Sequence, residues 1–296
     1  MRAPRYPVYV PTRGRYATPL TIRFMLRDHV DFRAVIQADE YDEYLNVVGH
    51  HERLLVLPPG IPNLLETRKW IRAHATAEGH ARHWQFDDNI GGIRRFYQGR
   101  RIPCETGPAI AAVEDFTDRY ENIGVSGFNY QMFGVPGAPA YVPNVHVYSA
   151  SLINHAMPAT WRLVYNDDTD ICLQALASGW ATLLVNVFLV DKKTTMTMKG
   201  GNTDALYQGD GRMQMARALE REWPGIVKVK RKFGRVQHSV DWSKFRDDPK
   251  PRLREGIDLS ALERDEYGLR LVEKTPVRSP ALRDLMRLFE QETTAV

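Results

Sequence analysis

The sequence predicts an α/β fold in which a mostly parallel sheet is flanked by helices. Short apolar segments, rich in β-branched and aromatic residues, alternate with amphipathic segments along the first third of the chain. Polar stretches that contain Gly or Pro separate these segments and end the strands. Strands that alternate with helices pair in parallel through right-handed crossovers. A chain of 296 residues is long enough for one large α/β domain or two smaller ones.

The first third of the chain supplies a β-α-β-α-β-α-β order. We expect strands at 7–11, 32–37, 54–57 and 82–86, and helices at 21–29, 39–46 and after Asn63. Asn63 is a suitable N-cap because its side-chain oxygen can accept a hydrogen bond from a free N–H of the first helical turn. The apolar residues that follow it recur at helical spacing. This order is the observation that favours parallel pairing.

The remainder of the chain is less regular. We expect helices at 107–119 and 171–178, with Gly179 as the stop of the second, and strands at 122–127, 145–153 and 182–190. Residues 128–143 form a loop rich in Gly, Pro and aromatic residues, and loops of this length often carry function. Its aromatic side chains include Tyr130, Phe133 and Tyr141. Residues 253–296 are highly charged and predicted to be helical.

The strand at 82–86 runs directly into two carboxylates, Asp87 and Asp88. Because unpaired buried carboxylates are costly, they are best placed at the carboxyl end of the strand, where open α/β sheets bind ligands. Hard oxygen ligands in that place favour Mg²⁺ or Mn²⁺, ions that commonly also hold substrate phosphates. Asp-Asp-Asn followed by Gly91 and Gly92 is also good turn chemistry. The segment alone leaves both interpretations open.

Three further polar segments are candidates for function. The acidic cluster at 166–170 opens the predicted helix at 171–178, where its carboxylates either do chemistry or favour the helix macrodipole. Residues 192–202 combine Lys, hydroxyl groups and Gly, which suits phosphate oxygens, although a flexible polar loop has the same composition. Residues 228–235 contain five basic residues and no acidic one, which is typical of a nucleic-acid contact or of a charged strand edge.

Composition limits the compartment and the class of protein. The net charge of +4 and the pI near 9.0 permit an anionic partner without requiring one. The chain has only Cys104 and Cys172, so no disulfide framework is indicated and a reducing cytoplasm is the simplest compartment. The first residues lack the apolar core of a signal peptide, and the longest apolar run, 180–190, falls short of the roughly 20 residues that a membrane span needs. We therefore expect a cytoplasmic protein without a membrane partner.

The order of the motifs resembles that of a GT-A nucleotide-sugar glycosyltransferase. The motifs are a first strand ending in Pro11-Thr12-Arg13-Gly14-Arg15, a basic helix with Arg68 and Trp70, then Phe86-Asp87-Asp88-Asn89, and Asp167-Asp168-Thr169-Asp170 before a helix that ends at Gly179. More narrowly, residues 7–245 resemble the TET-associated glycosyltransferases of bacteriophages and their relatives, which are linked to sugar decoration of 5-hydroxymethylpyrimidines in DNA. The resemblance implies a catalytic domain at 1–245, with a donor half at 1–125 and an acceptor half at 126–245, and a charged helical extension at 246–296.

On the donor side, the resemblance implies a UDP-sugar and a divalent cation, Mn²⁺ or Mg²⁺. Asp87, Asp88 and Asn89 would tie the cation to the sugar diphosphate, with His238 as a further ligand. Asn89 departs from an all-acidic motif, but its side-chain oxygen can still coordinate a hard cation. The residues expected to bind the nucleotide sugar are Pro11, Thr12, Arg13, Gly14, Arg15, Arg68, Asp87, Asp88, Lys199, Gly200 and Gly201.

On the acceptor side, the resemblance implies a general base and a DNA substrate. Asp167 and Asp168 match the acidic pair that supplies the base in inverting GT-A enzymes, and Asp168 is the expected base. The acceptor would be the hydroxyl of 5-hydroxymethylcytosine, or of a related hydroxymethylpyrimidine, in phage DNA, which places the enzyme in the cytoplasm of a bacterial host if it is phage-encoded. The residues expected to bind DNA are Lys228, Lys230, Arg231, Lys232 and Arg235. With DNA as the acceptor, Tyr130, Phe133 and Tyr141 would either stack on a base or lie in the core.

Two other classes of protein use the same residues. A metal-dependent nucleotidyltransferase or nuclease would place the same carboxylates around a metal ion. A non-catalytic DNA-binding protein would keep the basic segment and use the acidic clusters only as turns and helix starts.

Overall fold

The computed structural model describes residues 2–193, 211–232 and 235–258. The helices in these ranges are α1 (Leu20–Arg27), α2 (Tyr41–Val48), α3 (Leu64–Ala77), α4 (Thr106–Thr117), α5 (Asp167–Ala177) and α6 (Gly211–Glu222). The strands are β1 (Val8–Pro11), β2 (Arg33–Ile36), β3 (Leu54–Val56), β4 (Arg82–Phe86), β5 (Ile90–Tyr97), β6 (Arg100–Pro103), β7 (Ile123–Tyr130), β8 (Tyr141–Pro143), β9 (Ala150–Asn154), β10 (Ala181–Lys192), β11 (Val227–Lys232) and β12 (Arg235–Val240).

Some expectations lie outside the described residues. These are the nucleotide-binding residues Lys199, Gly200 and Gly201, the side chains of Lys232 and Arg235, and the helical extension beyond residue 258.

One sheet of ten strands organises the fold, in the order β3-β2-β1-β4-β9-β7-β10-β5-β6, with β8 paired to β10. The pairs β1–β2, β1–β4, β2–β3 and β7–β10 are parallel. The pairs β4–β9, β7–β9, β5–β10, β5–β6 and β8–β10 are antiparallel. Seven of the ten strands therefore run in one direction, and only β5, β8 and β9 run in the other. The expected α/β class with a mostly parallel sheet flanked by helices is confirmed.

Helices cover both faces of the sheet because successive strand residues point to opposite faces. In β1, Val8 and Val10 pack into the core that contains residues of α1, α2 and α4. Tyr9 points to the other face, where it packs with Ile71 of α3. Helix α5 lies on the second face and packs against Val125 of β7. The central strands are consequently buried on both faces, as expected for a three-layer fold.

The expected elements of the first third are present, and Asn63 caps α3 by accepting a hydrogen bond from the Glu66 N–H at 3.0 Å. The strand expected at 145–153 begins only at Ala150, so that expectation is wrong for 145–149. The apolar alternation there reflects Val147, which packs under the loop against α5 rather than in a ladder.

The acidic turn is shorter than its composition indicates. Asp88 and Asn89 form the turn, but Gly91 and Gly92 already lie in β5, the first strand of a hairpin with β6. On its other side β5 pairs with β10, with Leu189 opposite Arg94. This pairing spans a long stretch of sequence, so the local composition of 87–92 does not reveal it.

The described residues after β12 lie against the domain. Asn144 donates hydrogen bonds to the carbonyls of Phe245 at 2.8 Å and Pro249 at 2.7 Å. The Arg252 N–H donates to Asn122 Oδ1 at 2.8 Å. Among the helices of the described ranges, none is long and apolar enough to cross a membrane.

Candidate active site

Four strands that run in the same direction end at one edge of the sheet. β1 is followed by Thr12, β4 by Asp87, β7 ends at Tyr130 and β10 ends at Lys192. The loop before the antiparallel strand β9 returns to the same edge, and the Ser149 carbonyl accepts a hydrogen bond from the Asp87 N–H at 2.8 Å. Polar residues from distant parts of the sequence thereby become neighbours at the edge where open α/β sheets bind ligands.

Arg68 joins the two acidic clusters. It extends from α3, is 8% exposed, and its Nη2 donates to Asp87 Oδ1 at 3.0 Å. Its Nε lies 2.7 Å from Asp167 Oδ2 in an ion pair, and its Nη1 donates to Gln85 Oε1 at 2.8 Å. Burial alone would lower the pKa of Arg68, but Asp167 and Asp87 raise it, so the guanidinium stays charged. One buried cation therefore holds the expected donor-side and acceptor-side carboxylates together.

Lys192 is a second cation on Asp87. Its Nζ donates to Asp87 Oδ2 at 3.0 Å and to the Tyr130 hydroxyl at 3.1 Å, and it also contacts the Ser149 hydroxyl. Burial alone would raise the pKa of Asp87, but Lys192 and Arg68 lower it to about 2. Asp87 is therefore ionised at neutral pH. From the sequence, the segment that begins at Lys192 was either a phosphate-binding loop or a flexible polar loop. The position of Lys192 at the end of an apolar strand, like that of Asp87, was the signal for a site residue.

Asp88 points toward the loop after β1. Its Oδ1 accepts from Arg15 Nη1 at 2.7 Å and its Oδ2 accepts from the Thr12 hydroxyl at 3.1 Å. The Tyr44 hydroxyl lies 2.7 Å from Thr12 Oγ1 and holds this loop from α2. Burial raises the pKa of Asp88 to about 6; Arg15 opposes this shift and Asp87 adds to it. Asp88 is thus less well neutralised than Asp87.

The other residues expected in the loop after β1 differ in exposure. Pro11 is buried in the sheet, whereas Arg13 and Gly14 are exposed. The Gly14 N–H donates to Glu40 Oε1 at 2.7 Å, and Gly14 has a φ of 64°, a conformation that favours glycine.

Asp168, at the start of α5, is paired with a histidine. Its Oδ2 lies 3.2 Å from His146 Nε2, and its Oδ1 accepts from the Thr169 N–H at 2.7 Å. Burial alone would raise the pKa of Asp168, but His146 lowers it below its usual range. The pKa of Asp167 is raised to about 6 by burial, which Arg68 opposes and Asp168 reinforces. His146 was not expected in the site, because it lies in a segment that looked like a strand.

The third acidic residue of this cluster, Asp170, has a structural role. It is 1% exposed, forms an ion pair with Arg162 at 3.0 Å, and accepts a hydrogen bond from Trp223 Nε1 at 2.7 Å. These contacts tie α5 to the segment that follows α6.

Aromatic rings line the site between Lys192 and Asp168. Tyr130 and Tyr148 stack with centroids 4.5 Å apart, and Phe133, 47% exposed, lies 5.8 Å from each of them. Tyr141 instead packs on Phe116 in the core, with centroids 4.8 Å apart. A cavity of about 250 Å³ continues from these rings and is lined by Arg101, Tyr130, Gln131, Met132, Val190, Asp191 and Lys192.

The sequence of residues 6–201, more than half of the chain, matches the family described as TET-Associated Glycosyltransferase. The chain belongs to this family. The protein is therefore a glycosyltransferase, an enzyme that takes a sugar from a nucleotide-sugar donor and passes it to an acceptor. The resemblance found in the sequence motifs and the expected enzyme class are confirmed.

Other comparisons add little to the family assignment. No curated protein matches the sequence. Among solved structures, the inositol-1-phosphate CTP transferase from T. maritima is similar, with a TM-score of 0.35 and 8% sequence identity, over 65% of this chain and 91% of that one.

The acidic end of β4 in this glycosyltransferase has the chemistry for a divalent cation. Asp87, Asp88 and Asn89 offer hard oxygen donors, and Asn89 Oδ1 is buried without a hydrogen-bond partner in the described part of the chain. Four carboxylates, Asp87, Asp88, Asp167 and Asp168, face three cations, Arg15, Arg68 and Lys192, which leaves a net negative charge when His146 is neutral. The residues therefore fit a cation that arrives with a diphosphate.

The protein does not supply a complete metal cage within the described ranges. No three His, Cys, Asp or Glu side chains converge there to hold an ion. This arrangement suits Mg²⁺ or Mn²⁺, which are commonly bound by one or two carboxylates together with substrate phosphates. His238, on β12, has its pKa lowered by burial, and its charged neighbours are Asp168 and His146. It lies on the acceptor side rather than beside Asp87 and Asp88.

Two hairpins of this family member are rich in basic residues. Lys228, Lys230 and Arg231 lie on β11, which pairs only with β12 among the described strands. The β5–β6 hairpin was not predicted from the sequence. It carries Arg94, Arg95, Arg100 and Arg101, and residues 90–104 contain no acidic residue. Its register places Arg95, Tyr97, Arg100 and Ile102 on one face, where Tyr97 is 50% exposed.

Proposed function

We propose that the protein transfers a sugar from a UDP-sugar to the hydroxyl of 5-hydroxymethylcytosine, or of a related hydroxymethylpyrimidine, in phage DNA, with the assistance of Mn²⁺ or Mg²⁺. The reaction type follows from the family. The observation that carries the proposal is the Arg68 bridge between Asp87 and Asp167. Because of this bridge, a donor anchored at Asp87 and Asp88 and an acceptor hydroxyl near Asp168 would meet at one edge of the sheet.

On the donor side, Asp87, Asp88 and Asn89 would hold the divalent cation, and Thr12 and Arg15 would line the nucleotide pocket. When bound, the cation offsets the negative charge that develops on the leaving diphosphate. The chain adds its own cations at the same place, since Arg15 contacts Asp88 and Lys192 contacts Asp87. We propose that Pro11, Arg13, Gly14 and Arg68 complete this pocket and that Lys199, Gly200 and Gly201 extend the phosphate-binding surface beyond Lys192.

On the acceptor side, Asp168 and its partner His146 supply the acid–base group. An attacking hydroxyl must lose its proton. Asp167 is engaged by Arg68, whereas Asp168 is the more exposed of the two carboxylates, with 35% of its side chain exposed against 18% for Asp167, and is paired with His146. The Asp168–His146 pair is therefore the group nearest to an acceptor hydroxyl.

A DNA acceptor is supported by charge and by aromatic surface. The arginines of the β5–β6 hairpin, together with Lys228, Lys230 and Arg231, provide cations for a phosphate backbone, and Lys232 and Arg235 complete the proposed basic strand. Tyr130, Tyr148 and Phe133 offer ring faces next to the acid–base group. An enzyme that acts on a base must bring it out of the stack, and aromatic rings are typical partners of an unstacked base.

The test is sugar transfer measured by mass spectrometry of digested DNA. Purified protein is incubated with a panel of UDP-sugars, Mn²⁺, and single- or double-stranded DNA that contains either 5-hydroxymethylcytosine or cytosine. We expect one sugar to be added to the hydroxymethylated DNA only. Asp88→Asn should abolish transfer and the Mn²⁺-dependent thermal shift with UDP, while Asp31→Asn, the same change at an exposed position, should alter neither.

Two outcomes would contradict different parts of the proposal. A folded protein that binds UDP with Mn²⁺ but modifies no hydroxymethylated DNA would overturn the proposed acceptor. A protein that shows no metal-dependent UDP binding would overturn the proposed donor and cation.

A further inference from the structure

His146 has the surroundings of a general base. Its Nε2 lies 3.2 Å from Asp168 Oδ2 and 3.3 Å from the Thr169 hydroxyl, so both polar partners engage the same ring nitrogen. The other nitrogen, Nδ1, makes no hydrogen bond to the residues that the structure describes, and 19% of the side chain is exposed. A histidine that is anchored through one nitrogen and free at the other is poised to accept a proton.

The imidazole ring is held in place by aromatic contacts. The indole of Trp242 is nearly parallel to it, with an interplanar angle of 10° and centroids 6.1 Å apart. Tyr148 packs on the ring from its own loop, with centroids 4.3 Å apart. These contacts oppose rotation of the ring and keep Nδ1 turned away from Asp168. Tyr148 also stacks on Tyr130, so the imidazole belongs to the aromatic row that lines the acceptor side.

Asp168 is poorly suited to accept the proton itself. Its carboxylate is engaged by His146 and by the Thr169 N–H, and His146 lowers its pKa although burial opposes this shift. A general base works best when its pKa lies near the working pH, and a carboxylate whose pKa is held below its usual range does not meet that condition. A carboxylate in this position instead fixes the tautomer of the ring and stabilises the imidazolium.

We infer that His146 is the catalytic base that takes the proton of the acceptor hydroxyl, and that Asp168 is the residue that orients it. This assignment rests on the proposed function. As the acceptor oxygen bonds to the anomeric carbon, the bond from that carbon to the diphosphate oxygen breaks and its electron pair leaves with the diphosphate. The hydroxyl proton moves to His146 Nδ1. Attack of this kind inverts the anomeric configuration.

The pH dependence of the reaction rate reflects protonation of His146 and also of its titratable neighbours. These are Asp168 on α5, Tyr148 on the same loop, and His238 on β12. A His238→Gln background removes the neighbouring histidine, whose pKa is lowered by burial. The acid limb measured in that background should therefore belong to His146.

The experiment compares His146→Gln, Asp168→Asn and the double variant for kcat, KM and pH dependence. His146→Gln keeps an amide that can donate to Asp168 but cannot act as a base. We expect its kcat to fall by a factor of about 10²–10⁴, with an unchanged KM for the donor and loss of the acid limb. The double variant should be no slower than His146→Gln, because the two residues act as one unit. Imidazole added to His146→Ala should restore part of kcat.

The controls distinguish a variant that loses activity because it does not fold from one that loses activity because the base is missing. His51→Gln, the same change at an exposed histidine outside the site, should leave the kinetics unchanged. Each variant should bind UDP as the wild type does and should have a melting temperature within a few degrees of the wild-type value. If His146→Gln fails to meet these two conditions, His146→Ala is used in its place.

Three results would overturn the assignment. The first is a His146→Gln variant that keeps kcat within about tenfold and moves its acid limb to higher pH, since Asp168 would then be the base. The second is a product that retains the anomeric configuration. The third is hydrolysis of the UDP-sugar, with water as acceptor, that is equally fast in wild type and His146→Gln. Hydrolysis does not depend on DNA, so it tests His146 even where the proposed DNA acceptor fails.

Discussion

Replacing Arg68 with Met should destabilise the protein by about 3 kcal/mol at pH 8. The change removes hydrogen bonds to Asp87 and Gln85 and the ion pair with Asp167. Removing one partner of a buried ion pair costs about 3–5 kcal/mol because the other charge is left uncompensated. We take the lower value, since the side chains of Asp87 and Asp167 are 23% and 18% exposed and water screens them in part.

The destabilisation caused by Arg68→Met should be smaller at pH 5 than at pH 8. The pKa of Asp167 is raised to about 6 even with Arg68 present, and without that cation it rises further. At pH 5 Asp167 is protonated in both proteins, so Arg68 contributes less there. The cost of Arg68→Met should therefore grow as pH rises through 6, by about 1 kcal/mol or more between pH 5 and pH 8.

Urea unfolding at both pH values, without added metal, measures this difference. Arg101→Met on β6 is the control that removes one arginine without removing an ion pair, because Arg101 donates to the carbonyls of Gln131 and Gly134 and forms no ion pair with a carboxylate of the described residues. Its cost should change little between pH 5 and pH 8. The reasoning is refuted if Arg68→Met costs less than about 1 kcal/mol at pH 8, or costs the same at both pH values.

Three further predictions concern the buried histidines, the central sheet and the basic hairpin. His83 is fully buried and its Nδ1 lies 2.7 Å from His155 Nε2; burial lowers the pKa of His83, and that of His155 to about 4. The two neutral histidines thus contribute fully to stability above about pH 6.5, and this contribution is lost as pH falls toward 4. His83→Gln should therefore reduce the number of protons taken up on unfolding in that window by up to one, which is measured as a smaller slope of the unfolding free energy against pH. Gly127→Ala should cost about 1–3 kcal/mol, because its Cβ would lie 2.1 Å from the Ala150 carbonyl oxygen, whereas Gly91→Ala, with its nearest neighbour at 3.5 Å, should cost less in the same melting experiment. Arg100→Gln on β6 should weaken DNA binding and reduce its salt slope by about 1, while the exposed Arg23→Gln should not; an unchanged slope would exclude the hairpin from the DNA contact.

Local pattern was sufficient where an element is defined by its own residues. The cap at Asn63 and the strand that leads into Asp87 were visible because capping and strand propensity act over a few residues. The start of β9 and the β5–β6 hairpin were not visible. Val147 alternates like a strand residue but packs under a loop, and β5 exists because it pairs with the distant β10.

The residues of the candidate site likewise include some that the sequence indicated and some whose roles only the structure shows. The acidic residues at 87–88 and 167–168 stood out in the sequence because carboxylates next to apolar segments need a reason to be there. The roles of Lys192 and His146 were hidden. Each acts through a partner that lies far along the chain, Asp87 for Lys192 and Asp168 for His146.

The sequence by itself determined the α/β class, the order of the first strands and helices, the two acidic clusters and the family they indicate. These properties depend on short-range periodicity, on turn chemistry and on motif order. The tertiary structure alone decided that Arg68 joins the clusters, which cation sits on each carboxylate, and that His146 faces Asp168. Such contacts arise from strands that end at one edge of the sheet, and no local pattern in the chain records which loops meet there.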